Sequence, residues 1–222
     1  MSHELRTPLN AIIGFAQLFQ LGISDPKVVK ENAEEIQAAG DHLLALINDI
    51  LDVSKIESEA IEFEIEPTHI WPLLIDSLAM VSKLKDQYNV QIKLSESHLE
   101  YEFVLADKLR LKQVVINLLS NAIKYNKPNG MVTIQCLNEL DGMYIKLTDT
   151  GSGLSAEQIK DLFTPFNRLG REKSEIQGTG IGLVICKQLV EKMNGQIGVV
   201  SELGEGSEFW VKLPLDKTRH AE

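Results

Sequence analysis

MSHELRTPL, Met1 to Leu9, places a histidine, a carboxylate and a proline at the head of an amphipathic helix. Leu5, Leu9, Ile12, Ala16 and Phe19 recur at alternating steps of four and three, the seam of a helix that packs in a bundle. His3 is off that seam. It shares a line with Thr7, Asn10, Gly14 and Gln17, so its imidazole is expected to face water or a visiting molecule. Glu4 is placed to accept a ring proton, although an exposed His and Glu also suit any solvated helix face. The first helix is expected over 1–21, with a local bend at Pro8. Gly22 suits its C-terminal end, Asp25 can cap the next helix and Pro26 fits that helix's first turn.

The second helix is expected over 27–57, where Val29, Ala33, Ile36, Gly40, Leu43, Ile47, Ile50 and Ser54 keep the same spacing and Leu44 and Leu51 widen the stripe. Two helices cannot bury stripes this broad against each other alone. The hairpin is therefore expected to pair with a second copy as a homodimeric four-helix bundle. After a polar break at 58–60, IEFEIEP alternates as a strand that Pro67 ends, and a second domain begins. Its expected elements are helices over 71–87, 107–125, 156–162 and 180–193. Its expected strands are 90–94, 102–106, 131–137, 144–149, 196–201 and 207–213, with a frayed tail beyond Pro214. Mixed without regular alternation, these predict an α+β chain: a helical hairpin over 1–58, then an α/β sandwich over 61–216, one sheet covered on one face by helices.

Composition narrows the function. The 222 residues carry a formal charge of −10, which argues against a nucleic-acid partner held by basic surface. Cys136 and Cys186 have no metal-ligand spacing and are expected to be buried free thiols in a reducing compartment. No stretch is apolar for long enough to span a bilayer, and 1–21 is too polar for a signal peptide. This segment is expected to be cytoplasmic and to make no membrane contact.

Three clusters in the second domain carry chemistry. Asn117, Asn121 and Lys124 share one helix face opposite Leu111, Val115, Leu118 and Ala122; amide oxygens can ligate Mg²⁺, and an ammonium offsets phosphate charge. Ile145, Leu147 and Asp149 alternate onto one strand face, so the carboxylate continues an apolar series. Such a group is costly to bury unless hydrogen-bonded, and it either meets a ligand or caps the turn of DTGSG. Gly151 and Gly153 let the backbone come close. Gly178, Gly180 and Gly182 alternate just before an apolar helix, an arrangement that turns backbone N–H groups towards an anion. Neither the dinucleotide glycine pattern nor a P-loop is present. The polar run 167–177 is expected to be a lid over a ligand, with Phe163 and Phe166 at its base.

HELRTPLNAI resembles the phosphoacceptor box of sensor histidine kinases, and NLLSNAIKYN (117–126), DTGSGL (149–154), FTPFNR (163–168) and GTGIGL (178–183) resemble that family's ATP-binding boxes, in the family's order. The resemblance implies that ATP bound with Mg²⁺ phosphorylates His3, which Glu4 assists by accepting or orienting its ring proton. The phosphoryl group then passes to an aspartate of a response-regulator receiver domain. Thr7 matches the position that places a water for dephosphorylating that regulator. On the same footing Asn121 holds the metal, Asn117 supports it, Lys124 and Arg168 contact phosphate, and Tyr125 lies against the nucleotide. Asp149 would accept from the adenine amine, and Gly151, Gly153, Gly178, Thr179, Gly180, Gly182 and Leu183 complete the nucleotide boxes. Asn117 departs from the gyrase and heat-shock relatives, which carry a water-activating glutamate there, and this favours transfer over hydrolysis. The resemblance also implies a longer parent receptor, with a membrane anchor left open. An idle ATP-binding scaffold would need a lost histidine or metal ligand, and an ATP-gated conformational machine is opposed by Asn117 and by HELRT.

Overall fold

The computed structural model describes residues 2–22, 25–58, 62–95, 103–139, 142–167, 169 and 179–216, the side chains of residues 2–4 and 57 excepted. Helix α1 (Ser2–Gln20) continues through Pro8 and is joined by residues 21–25 to α2 (Pro26–Glu57). Asp25 caps α2 by accepting from the Lys27 amide, and Pro26 occupies its first turn, as the sequence predicts. α1 packs along α2. Leu9, Ile13, Leu44, Ile47 and Leu51 nevertheless stay exposed. A second stripe on α2, which shares Ile50 with the expected seam but is otherwise unforeseen in the sequence, is covered: Leu46 and Ile56 are buried, with Ile50 and Val53 packed beside them. The C-terminal domain lies against this side of α2, through α7 (Gly182–Lys192).

That domain is built on a five-stranded sheet of order β2-β4-β5-β7-β6. Its strands are β2 (Gln91–Leu94), β4 (Met131–Glu139), β5 (Gly142–Asp149), β6 (Gln196–Glu202) and β7 (Gly206–Leu213). Among the described strands, β2 and β4 alone pair in parallel. The other pairings are antiparallel and register Ile134 and Phe209 beside Leu147, and Cys136 and Val211 beside Ile145. Alternate residues of β5 and β7 therefore face one side, where α3 (Ile70–Met80), α5 (Lys108–Lys124) and α7 supply the opposing layer. Leu73, Leu74, Leu111, Leu118, Leu119, Ile123 and Leu189 are almost wholly buried there. α4 (Ser82–Gln87) and α6 (Ala156–Asp161) complete the helices, the latter with a capping box between Ser155 and Gln158.

Five local expectations are corrected. The strand expected over 61–67 is instead β1 (Glu66–His69), with Pro67 inside it. It pairs only with β3 (Phe103–Ala106) in a separate two-stranded sheet, where an edge tolerates the missing N–H. The domain thus has two sheets rather than one. The single helix expected over 71–87 is divided at Val81, a buried residue whose backbone closes α3. The helix expected from Gly180 begins at Gly182, because Gly180 sits at φ +69°, outside helical space. The tail does not fray at once: Leu215 bridges Val104, and the Asp216 amide donates to the Phe103 carbonyl. Cys136 and Cys186 are buried and unbridged.

Candidate nucleotide site

Where α5, the end of β5 and the start of α7 converge, a cavity of about 380 Å³ opens. From α5 it receives Asn117, Asn121, Lys124 and Tyr125, because residues spaced by three and four lie on one face. Asp107 caps that helix by accepting from the Arg110 amide. The Asn121 amide donates to Asn117 Oδ1 at 3.1 Å, leaving the oxygen of Asn121 for a cation. A magnesium ion in nucleotide sites takes one or two protein oxygens plus phosphate and water, and this pair fits that role. Burial pushes the pKa of the Lys124 ammonium below its ordinary value, as desolvation of a cation does.

Asp149 ends β5 with its side chain on the core face, registered beside Val132 and Ser207, and only 6% exposed. One carboxylate oxygen accepts from the Gly151 amide at 2.8 Å. The turn-cap reading of this residue is therefore real, and it coexists with a place in the cavity wall. Gly151 backs the site through that bond, while Gly153 lines it.

The glycine box delivers Thr179, Gly180, Gly182 and Leu183 to the same cavity. α7 has no side-chain cap, so its first N–H groups are left for another acceptor. A Cβ at Gly182 would collide with the Asn117 amide; glycine there lets the helix start directly against α5. Phe166, itself at φ +61°, donates its amide to the Gly180 carbonyl at 3.1 Å. With Phe163 half-buried beside the core, the expected base of the lid is held to the glycine loop.

His3, Glu4 and Thr7 are carried on the first two turns of α1, and Thr7 is not in the cavity wall. The side chains of His3 and Glu4 lie outside the described residues, as do Arg168, Gly178 and most of the expected lid. Thr7 is exposed. Unforeseen in the sequence are Asp41, His42, Ala45 and Asp49 of α2, which form a further wall. Asp49 accepts from the Thr179 hydroxyl at 2.5 Å, and the Asp52 carboxylate accepts from Gln113 of α5 at 3.1 Å. Burial raises the Asp49 carboxyl above its ordinary value; the Thr179 bond lowers it in part and Asp52 raises it again. No local spacing announces a contact between elements 130 residues apart, but the second α2 stripe of Leu46, Ile50, Val53 and Ile56 could have shown that this side is covered.

The family model for histidine kinase-, DNA gyrase B-, and HSP90-like ATPases matches residues 106–217, and that of the His Kinase A (phospho-acceptor) domain matches 1–59. The chain is 40% identical to the sensor histidine kinase GacS of Pseudomonas protegens over 227 residues, covering 99% of this chain and 24% of GacS. It thus spans about a quarter of that relative's length. Among solved structures, full-length ShkA in complex with AMPPNP is 30% identical with a TM-score of 0.70, over 96% of this chain and 44% of ShkA. ThkA in complex with the response regulator protein TrrA shares the fold at 24% identity and a TM-score of 0.77, over 100% of this chain and 61% of that one. No described helix is long and apolar enough to cross a membrane. With both domain models matched in order on a fold that its solved relatives share, the chain belongs to the sensor histidine kinases.

Proposed function

We propose that this chain is the catalytic core of a histidine kinase that autophosphorylates His3 from Mg²⁺-bound ATP and passes the phosphoryl group to an aspartate of a response-regulator receiver domain. The supporting observation is the convergence of Asn117, Asn121, Lys124, Tyr125, Asp149, Thr179, Gly180, Gly182 and Leu183, from three separate elements, on one cavity. Asp149 supplies a buried acceptor for the adenine amine. The open amides of α7 and the Lys124 ammonium hold the phosphates, and Asn121, supported by Asn117, takes the cation. Bound there, the cation would neutralise charge on the transferring group. Arg168, Gly178 and Gly153 belong to the same assignment by their place in the boxes, with Arg168 towards phosphate.

His3 lies 18 residues before Leu21, and Leu43 lies 18 after Asp25, each about 27 Å along its helix at 1.5 Å per residue. His3 is therefore level with the Asp41–Asp49 stretch that walls the cavity. The nucleotide domain, 61–216, needs a swing around the hairpin, 1–58, rather than travel along it, and the short connection between them permits one. Neutral His3 attacks while Glu4 holds the proton on the other ring nitrogen, raising nucleophilicity at the attacking one. Thr7, one turn on, positions water for removing phosphate from the regulator. The exposed Leu9, Ile13, Leu44, Ile47 and Leu51 are the surface on which a second hairpin completes a four-helix bundle, so the working form is a homodimer. Labelling with Mg²⁺-ATP tests the reading: it predicts incorporated phosphate that survives base and is lost in acid. Acid-stable labelling, or none, refutes it.

A further inference from the structure

The hydroxyl of Thr179 has one proton, and in this structure it goes to Asp49. Thr179 Oγ1 in turn accepts from the Ile181 amide at 3.3 Å, so Asp49 is wired to the loop that opens α7. Its charge is also felt inside that helix, where burial first and then Asp49 push the Cys186 thiol up. One turn apart on α2, Asp41, Ala45 and Asp49 face the same cavity, and Lys124 is the lone Lys or Arg in its described wall. The hairpin therefore presents carboxylates to a cavity assigned to a polyanion. A phosphate oxygen at this end of the cavity would compete for the same Thr179 proton, and two half-buried anions a few ångströms apart repel strongly.

We propose that Asp49 is a built-in competitor of the nucleotide triphosphate: it holds Thr179 while the hairpin is docked, and hairpin docking and ATP binding exclude each other. This rests on the nucleotide reading of the cavity. By linkage, whatever strengthens docking weakens ATP binding, and bound ATP loosens the contact between α2 and α7 by the same factor. A gate of this kind frees the nucleotide domain to swing once it is loaded.

The test titrates the ATP analogue AMPPNP with Mg²⁺ into the whole chain by calorimetry, for wild type, Asp49→Asn and Asp52→Asn. Asp49→Asn keeps the shape and an oxygen for Thr179 but removes the charge. Asp52→Asn removes a neighbouring charge outside the cavity wall but keeps an oxygen to accept from Gln113, so the bridge it makes between the two domains, and with it docking, is preserved. The gate predicts that Asp49→Asn binds about tenfold more tightly than wild type, in the range of ordinary couplings, and that Asp52→Asn stays within about twofold of wild type. Binding by Asp49→Asn alone would be its extreme form. Equal affinity in wild type and Asp49→Asn, or an equal gain in Asp52→Asn, overturns the gate while the nucleotide reading stands. No binding by any of the three overturns both.

Discussion

The two halves of this chain differ in how completely each buries its own apolar surface. In the C-terminal domain three helices and a five-stranded sheet enclose a continuous core, and the residues lining its cavity are held from behind by that core. Among the described residues of the hairpin, Pro8, Leu46 and Ile56 are the buried apolar side chains, the last two on the side of α2 that the C-terminal domain covers, while five large apolar residues on the two helices stay 43–59% exposed. The difference teaches where each half finds its stability: one folds around itself, and the other leaves open the apolar surface on which the proposed second copy would pack. On the proposed function it also separates chemistry from association, with nucleotide affinity assigned to the first and the phosphoacceptor to the second.

Substitutions can break that division. The largest effect is expected for Glu4→Gln, which should slow phosphorylation of His3 by about 10²- to 10⁴-fold, the usual cost of a lost general base, with ATP affinity unchanged; rapid-quench labelling measures it, and an undiminished rate would make Glu4 a surface charge. Leu44→Glu combined with Leu51→Glu should weaken self-association by about 10²-fold or more, because two charges per protomer would have to be desolvated in the bundle. Sedimentation would then show a monomer that still binds ATP, and a persistent dimer would place the interface elsewhere.

The converse variants lie in the nucleotide domain. Asp149→Asn removes a charge-assisted acceptor worth about 1.5–3 kcal/mol, so ATP affinity should fall by about one to two orders of magnitude. An amide oxygen can still accept from Gly151, and the melting temperature should hardly move. Calorimetry separates this from a pure cap, for which affinity would not fall, and the thermal melt confirms that the variant is folded.

Lys124→Gln is the smallest effect. Burial lowers its pKa from 10.5, so the unfolded chain binds this proton more tightly. The cost to folding is present in full at neutral pH and fades as pH climbs through the lowered value towards 10.5. Lys124→Gln should therefore stabilise the empty protein by less than about 1 kcal/mol at pH 7, an amount kept small by partial solvation, while binding ATP less well. Thermal melts from neutral pH upward should show the gain shrinking, and a gain that grows with pH would contradict the assignment.

What could be read in the sequence follows from how local each signal is. The face shared by Asn117, Asn121 and Lys124 is fixed by helical spacing alone, and the alternation of Ile145, Leu147 and Asp149 by strand spacing alone; both arrive in the structure as expected. The cap of α2 by Asp25 and of α5 by Asp107 are equally local. Pro67 misleads because a proline ends a central strand yet is tolerated on an edge, and which strands are edges is a property of the whole sheet. Gly180 misleads in the same way: its left-handed backbone is set by the fit of the loop against Phe166. The wall of Asp41, His42, Ala45 and Asp49 is the least local feature of all, since these residues on α2 acquire a role only when another domain arrives.

The central claim joins the two halves: ATP held by the C-terminal domain phosphorylates His3 on the hairpin. Its most direct test is labelling of wild type and His3→Ala with Mg²⁺-ATP, with the modified residue located at neutral pH by mass spectrometry and nucleotide affinity measured in parallel. The account predicts base-stable, acid-labile phosphate on His3 of the wild type, and no such label on His3→Ala at unchanged ATP affinity. Base-stable labelling that persists in His3→Ala would contradict it.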